Sequence, residues 1–178
     1  VKSKTIIMPY EKDNLDMYSY AMDVLNNGKY SQYETSSYCK KNRECKHNLH
    51  YWKRDPYIAF GPSSHSFYNE VRYWNIRDLN KYISEVNAKK LPIEGLENLN
   101  DENIFNEIIL NGLRMSKGID LNYIKNKFNQ STFNSLSKKI IDWGNHLEKN
   151  KKNIRLTKKG QFIADEIVLD FINSYQAY

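Results

Sequence analysis

The first sustained hydrophobic period runs from about Asn14 to Leu25, where Leu15, Tyr18, Met22 and Leu25 recur at three- and four-residue steps and predict one face of a helix. Asn26, Asn27 and Gly28 stop it. The Tyr-, Thr- and Ser-rich run from Tyr30 to Tyr38 predicts a strand, and the polar stretch Lys40 to Lys46 a loop. A second strand is expected from Tyr57 to Phe60, leading into the small-residue turn Gly61, Pro62, Ser63, Ser64, and then a helix from Ile76 to Val86. This alternation predicts an α/β unit with a strand-end loop of the kind where α/β folds place ligands.

The segment LPIEGLENLN, Leu91 to Asn100, has Pro, Gly and Asn but no sustained period, and is expected to be a linker between residues 1–90 and 101–178. After it the spacing turns helical. Helices are expected at about Glu102 to Met115, Asp120 to Phe128 and Thr132 to Leu147, the last with a buried stripe of Phe133, Leu136, Ile140, Trp143 and Leu147. Lys149 to Leu156 reads as a hairpin, and Thr157 can cap a final helix carrying Phe162, Ile163, Ile167, Phe171 and Ile172. Three helices, a hairpin and a helix predict a winged-helix-like module. Such modules can lay their third helix in a DNA groove. Here, however, that helix has no Arg to read guanine, and its Lys138 and Lys139 are offset by Asp142 and Glu148. A packing role is expected rather than a nucleic-acid partner.

Composition narrows the classes further. With 178 residues and 40% hydrophobic content the chain can build one substantial core or two small ones. Its net charge of +6 is spread over both halves, so the cluster Lys149, Lys151, Lys152, Arg155, Lys158, Lys159 is read as a solvated face. The 22 Asn and 21 Lys are background, not a motif. No stretch approaches the roughly 18 apolar residues of a membrane helix, and the start VKSKTIIMPY lacks a signal peptide's apolar core. Val1 at the first position suggests a processed or cut chain. Only two cysteines, Cys39 and Cys45, are present and neither forms a CxxC, so a reducing cytoplasm is expected and no iron-sulfur cluster or structural zinc is built by the usual spacing.

The densest chemistry is the run Cys45, Lys46, His47, Asn48, Leu49, His50, Tyr51, Trp52, with two imidazoles, a thiol and two aromatic rings in eight residues. Imidazole or thiolate can ligate haem iron axially while Tyr and Trp faces cover the macrocycle. His47 and His50 are three apart, on one face of a helical turn but on opposite faces of a strand. An ordered loop with His47 and Asn48 bonded to backbone and Trp52 in the core is the alternative. The basic loop Lys40, Lys41, Arg43, Lys46 could attract carboxylates such as haem propionates. His65 follows a turn whose small side chains let a ligand approach the backbone. No nucleophile elbow, phosphate loop or dinucleotide fingerprint is present.

Several ordered motifs, YETSSYC (Tyr33 to Cys39), CKHNLHYW, GPSSHSF, VRYWNIRDLNKYI and the terminal RLTKKGQFIADEI, make the chain resemble the C-terminal half of the oxygen-independent coproporphyrinogen III oxidase-like family of the radical S-adenosylmethionine superfamily. His47, Asn48, Tyr51 and Trp52 fit the HNxxYW pattern of its haem-chaperone branch. The resemblance implies the last strands of a partial (β/α) barrel followed by a helical domain. It also implies haem contact by His47, Asn48, His50, Tyr51 and Trp52, with His47 the first candidate for the iron and Cys45 a thiolate alternative. Gly61, Ser63, Ser64 and His65 would form the strand-end loop facing the S-adenosylmethionine cavity, although Pro62 removes a backbone donor there. Ser37 likewise stands where the family has Asn. S-adenosylmethionine and a [4Fe-4S] cluster are implied for the intact protein, whose CxxxCxxC loop these residues lack, so radical chemistry is not expected of this stretch alone. Haem-recipient proteins are the implied partners, and unpaired sheet edges could drive a homodimer. A genuine porphyrinogen oxidase and a winged-helix nucleic-acid module are the alternatives.

Overall fold

The computed structural model describes residues 9–177; the residues before Pro9, on which the leader and first-residue readings rest, lie outside the described residues. α1 (Glu11–Asn27) buries Met22 and lets the Tyr18 hydroxyl donate to the Thr35 carbonyl at 3.0 Å. The run expected as one strand is a hairpin, β1 (Ser31–Glu34) and β2 (Ser37–Cys39). It reverses because the buried Glu34 carboxylate accepts from the Ser36 hydroxyl at 2.8 Å, folding the chain over Thr35 and Ser36.

α2 (Lys46–Trp52) follows a loop that ends at Cys45. Tyr57 to Phe60, expected as a strand, forms a single bridge: Tyr57 and Phe67 exchange backbone hydrogen bonds of 2.8 and 2.9 Å, while Ile58 and Phe60 are exposed. The turn from Gly61 to Ser64 therefore leads into a strand, β3 (His65–Tyr68), rather than out of one. β4 (Val71–Asn75) returns antiparallel to it. α3 (Leu79–Asn87) starts later than its hydrophobic pattern suggests, because the Asp78 carboxylate caps the Lys81 amide at 2.8 Å. Ile76 is instead buried and its amide bonds to the Pro92 carbonyl.

The segment expected as a linker is a strand. β5 (Ile93–Asn98) pairs antiparallel with β4 from Val71–Asn98 to Asn75–Ile93. Gly95 breaks the apolar alternation for a packing reason, since a Cβ there would lie 2.5 Å from the Trp74 ring opposite. Every strand pairing among the described residues is antiparallel. Strands of a (β/α) barrel pair in parallel, so no barrel strands pair with one another within this stretch.

In the second half α4 (Asp101–Arg114) opens with a capping box between Asn100 and Asn103. β6 (Ile119–Asp120), α5 (Leu121–Lys127) and α6 (Gln130–Asp142) follow. α6 stops short of the expected Leu147 because Gly144, at φ 45°, turns the chain into a single 3₁₀ turn. β7 (Leu147–Lys149) and β8 (Asn153–Leu156) complete a sheet in the order β6-β8-β7. The final helix is broken at Ile163 into α7 (Lys158–Gln161) and α8 (Ala164–Ile172). Phe105, Ile109, Ile124, Leu136, Ile154, Ile167 and Phe171 form the fully enclosed centre. Trp143 packs against it and its indole N–H donates to Asp170 at 2.9 Å. Within the basic cluster, Arg155 is paired with Glu148 and Lys158 with Asp23.

Candidate functional site

α2 carries the chemistry-bearing run, and its helical geometry sorts the side chains. His47 and Tyr51, four apart, stack edge to face with centroids 5.0 Å apart; Tyr51 meets Tyr57 at 4.7 Å, and Tyr57 meets Phe67 at 6.4 Å. This ladder is exposed at His47 and buried at Phe67, and burial pushes the Tyr57 phenol up. Trp52 turns inward instead. The Arg114 guanidinium of α4 lies over its ring at 4.7 Å, and the indole Nε1 is buried without a hydrogen-bond partner. Asn48, four residues before Trp52, is half-buried, and Cys45, just before the helix, is exposed with a free thiol.

His50 is engaged by a different partner. Its Nδ1 lies 2.8 Å from Asp55 Oδ2, a contact made by the way the helix ends. The Arg54 amide bonds to the Tyr51 carbonyl and the Asp55 amide to the His50 carbonyl, with Arg54 at φ 58°. This is a Schellman closure. It places a non-glycine residue in the left-handed region, at a cost of about 1 kcal/mol. Arg54 offsets that cost through its side chain, which donates to Glu107 at 2.8 Å, pairs with Glu70 and covers the Phe67 ring. Glu107 also takes Arg72, so two guanidiniums converge on one α4 carboxylate. Burial pushes the Arg54 guanidinium down, but Glu107 and Glu70 hold it above its ordinary value.

Clefts border α2 on several sides. One of about 260 Å³ is lined by Tyr51, Trp52, Tyr57, Phe67, Arg72 and Leu110. Another of about 290 Å³ lies across Trp52, against Ile108, Met115, Ile119 and Tyr123. A third of about 370 Å³ lies between α2 and the preceding loop, where Lys46, Leu49, His50 and Lys53 line it.

The second predicted site sits elsewhere and is internally satisfied. Gly61 has φ 104° and Ser63 φ 58°. The Gly61 amide accepts no outside role, since it donates to the Tyr82 hydroxyl at 3.1 Å; the Ser64 hydroxyl donates to the Gly61 carbonyl at 2.7 Å and accepts from Asn75 at 3.0 Å. The Ser63 amide bonds to the Ile76 carbonyl, and His65 stacks on Trp74 with centroids 5.8 Å apart. The turn therefore offers few free donors to a cofactor, and the Gly61 to His65 residues do not join the α2 cluster. Among the described residues no group of three or more His, Cys, Asp or Glu is placed to hold a metal ion.

Comparison with known proteins bears on this arrangement. Residues 99–163 match the HemN C-terminal domain. The chain is 29% identical over 172 residues to the heme chaperone HemW of Lactococcus lactis, covering 93% of this chain and 45% of that protein. It is 26% identical to the heme chaperone HemW of Bacillus subtilis, over 93% of this chain and 44% of the relative. Residues 99–163 are HemN-like. The chain spans a little under half the length of these curated relatives. The HemN-like fold is shared with the solved coproporphyrinogen III oxidase HemN of Escherichia coli, titled a radical SAM enzyme, at TM-score 0.65 and 13% identity over 94% of this chain and 42% of that one.

Sequence reasoning missed the residues that hold α2 in place: Arg54, Asp55, Glu107 and Arg114. Pro56 was the available signal, because a proline shortly after an aromatic run marks a helix that has already ended. The pairing of Arg54 and Arg72 with Glu107 has no sequence signature.

Proposed function

We propose that this HemN-like chain supplies the haem-contacting part of a HemW-type protein that carries haem to recipient enzymes. The observation that carries it is α2 itself. An exposed helix presents His47 edge to face with Tyr51 and His50 beside Asp55, with a free thiol at Cys45 just before it, while Tyr51 and Trp52 line an aromatic cleft and His50 a separate polar one. Iron-ligating groups and ring faces thus share one short element, and the heme chaperone relatives align across it. Trp52 holds the inner side of the helix against Arg114 of α4, Asn48 is the motif's amide, His47 and His50 are the candidate imidazole ligands, and Cys45 is the thiolate candidate. Exposure suits a carrier, since a ligand that must be handed on is better held at an open surface than enclosed.

The order of helix, strand, two helices and hairpin from α4 to β8 supports the winged-helix-like reading of residues 101–178, here packing against α2 rather than standing free. The barrel reading of residues 1–90 rests on parallel strand partners from outside residues 9–177. S-adenosylmethionine and a [4Fe-4S] cluster are assigned to the intact protein; in this stretch the turn from Gly61 to Ser64 spends its donors internally, and of the two cysteines Cys39 is buried and Cys45 exposed. No described helix is long and apolar enough to cross a membrane, which is compatible with a cytoplasmic carrier. Exposed Ile93 and Leu96 on the free edge of β5 support self-association into a homodimer.

Titration of the purified chain with haemin, followed at the Soret band, tests the reading. A saturable shift that weakens in Tyr51→Ala is expected. An absent shift, or one equally strong in a variant with His47, His50 and Tyr51 all replaced by Ala, overturns it.

A further inference from the structure

A carboxylate enclosed away from water is held only where charge or hydrogen bonds compensate it. Glu34, the last residue of β1, is 2% exposed. Its Oε1 accepts from the Ser36 hydroxyl at 2.8 Å. A Gln amide oxygen would accept that bond as well, so the turn uses the shape of this side chain and not its charge. The charge is met elsewhere. Glu34 Oε2 lies 3.8 Å from Nη2 of Arg114, the last residue of α4, and among the described residues no other carboxylate pairs with that guanidinium.

The backbones around the two residues are already fixed to each other. The Thr35 amide and hydroxyl both donate to the Arg114 carbonyl, at 2.9 and 3.2 Å, and the Ser116 amide and hydroxyl both donate to the Tyr33 carbonyl, at 3.1 and 3.2 Å. Glu34 itself forms a single bridge with Met115. What these bonds leave free is the Arg114 side chain, which is 38% exposed and long enough to turn out into water. It stays instead over the Trp52 ring, with Cζ 4.7 Å from the centroid. A cation over an indole face is attracted to it, but at a partly exposed site that attraction is no larger than the rotamer freedom an arginine gives up. The Glu34 charge supplies the rest of the hold.

Trp52 ends α2, and two guanidiniums tie that helix end to α4 in opposite directions. Arg54 reaches from the helix end to Glu107 of α4, whereas Arg114 reaches from α4 to the helix end. The second tie depends on the hairpin, because its carboxylate is Glu34.

We infer that Glu34 is a positioning residue for α2, its charge fixing the Arg114 guanidinium over Trp52 and so linking the β1–β2 hairpin to the helix that carries the imidazoles. The consequence for haem rests on the haem-carrier reading above; the link between hairpin and helix does not.

The test incorporates 5-fluorotryptophan at the three tryptophans and reads the fluorine NMR spectrum of the chain, of Glu34→Gln, of Arg114→Met and of the double variant. The Trp52 signal is assigned by its loss in Trp52→Phe, and far-ultraviolet circular dichroism confirms that each variant is folded. Glu34→Gln is expected to shift the Trp52 signal and to leave those of Trp74 and Trp143 in place, a selectivity that general destabilisation would not produce. The double variant should shift it no further than Arg114→Met alone, because Glu34 acts through Arg114. Arg114→Lys, which keeps a cation, should lie between Arg114→Met and the unsubstituted chain. An unmoved Trp52 signal in Glu34→Gln, or an effect of Glu34→Gln that persists when Arg114 is already Met, overturns the link. If Glu34→Gln does not fold, Glu34→Asp, which draws the charge back by one methylene, decides on the same signal. Haemin titration then separates the link from its function: Glu34→Gln should bind haemin roughly 3- to 10-fold more weakly. A shifted Trp52 signal with unchanged haemin affinity upholds the link and overturns its bearing on haem. No saturable binding by the unsubstituted chain overturns the haem-carrier reading alone.

Discussion

In the C-terminal region Phe105, Ile109, Ile124, Ile154, Ile167 and Phe171 are wholly enclosed, whereas in residues 9–98 Phe60 is 87% exposed and Met17, Tyr20, Ile58, Leu79 and Leu96 are each more than half exposed. The two regions are built from a similar supply of apolar residues, so the difference lies in geometry. Helices α4, α5, α6 and α8 close around one centre; two small antiparallel sheets and α1 to α3 do not. The N-terminal region is instead tied to its neighbour at a few points. Thr35 bonds through its amide to the Arg114 carbonyl at 2.9 Å, Ser116 to the Tyr33 carbonyl at 3.1 Å, and Arg54 to Glu107. Phe67 is its main contribution to the shared core. The candidate haem segment thus sits in the loosely packed part and borrows its order from the tightly packed part, as binding elements commonly do.

The largest expected effect comes from breaking the enclosed centre. Phe105→Ala removes a ring that has no exposure and touches Phe128 and Tyr175, and should cost about 3–5 kcal/mol. Because the N-terminal region leans on this centre, thermal unfolding should remain a single transition at lower temperature; two separate transitions would show that the regions are independent.

Next in size is Glu107→Gln. It leaves the Arg54 and Arg72 guanidiniums without their shared carboxylate and should cost about 2 kcal/mol. Hydrogen exchange should then speed up in residues 46–75 while residues 119–171 keep their protection. Uniform acceleration would contradict the anchoring role given to this residue.

Acid should loosen both regions, each through one carboxylate. Burial pushes Glu34 up, yet hydrogen bonds from Ser37 and Ser36 and the charge of Arg114 outweigh it and hold the carboxyl below its ordinary 4.5. Burial likewise opposes, and the Trp143 and Lys139 contacts outweigh it, at Asp170, which lies below its ordinary 3.8. A depressed folded-state pKa contributes stability that is present above the unfolded value and is lost as pH falls through the folded one. Stability measured by urea titration should therefore decline as pH drops below about 4.5, and Glu34→Gln should flatten that decline. An unchanged slope in the variant would remove Glu34 from the account.

The smallest effect is expected at the exposed surface. Phe60→Ser should change stability by less than about 0.5 kcal/mol in a urea titration. A loss of several kcal/mol would mean that this side chain is covered.

Legibility in the sequence follows the same division. The helices of the C-terminal region could be read because Phe105, Ile109 and Leu113, or Leu136 and Ile140, repeat at the helical period that also buries them. The hairpin of β3 and β4 could not. Its turn uses Asn69 and Glu70, at φ 51° and 58°, where an Asn-Gly pair would have announced it. β5 was hidden by Pro92 and Gly95, residues that normally mark a loop but here precede the strand and make room for Trp74. The site shows the same limit. HNLHYW stands out as a cluster of haem-compatible side chains, yet its helix turns His47, His50 and Trp52 toward three different neighbours: the Tyr51 ring, Asp55 and Arg114. Asp55 lies five residues beyond His50, a spacing that no helical or strand period brings together; only the backbone reversal at Arg54 does so.

The central claim is that haem meets this chain on α2, and hydrogen exchange of the chain with and without one equivalent of haemin tests it most directly. Slowed exchange confined to about residues 45–57, with the Gly61 to His65 turn and the enclosed helices unchanged, is the predicted result. Protection centred on residues 61–65 or within residues 99–175, with residues 45–57 unaffected, would contradict it.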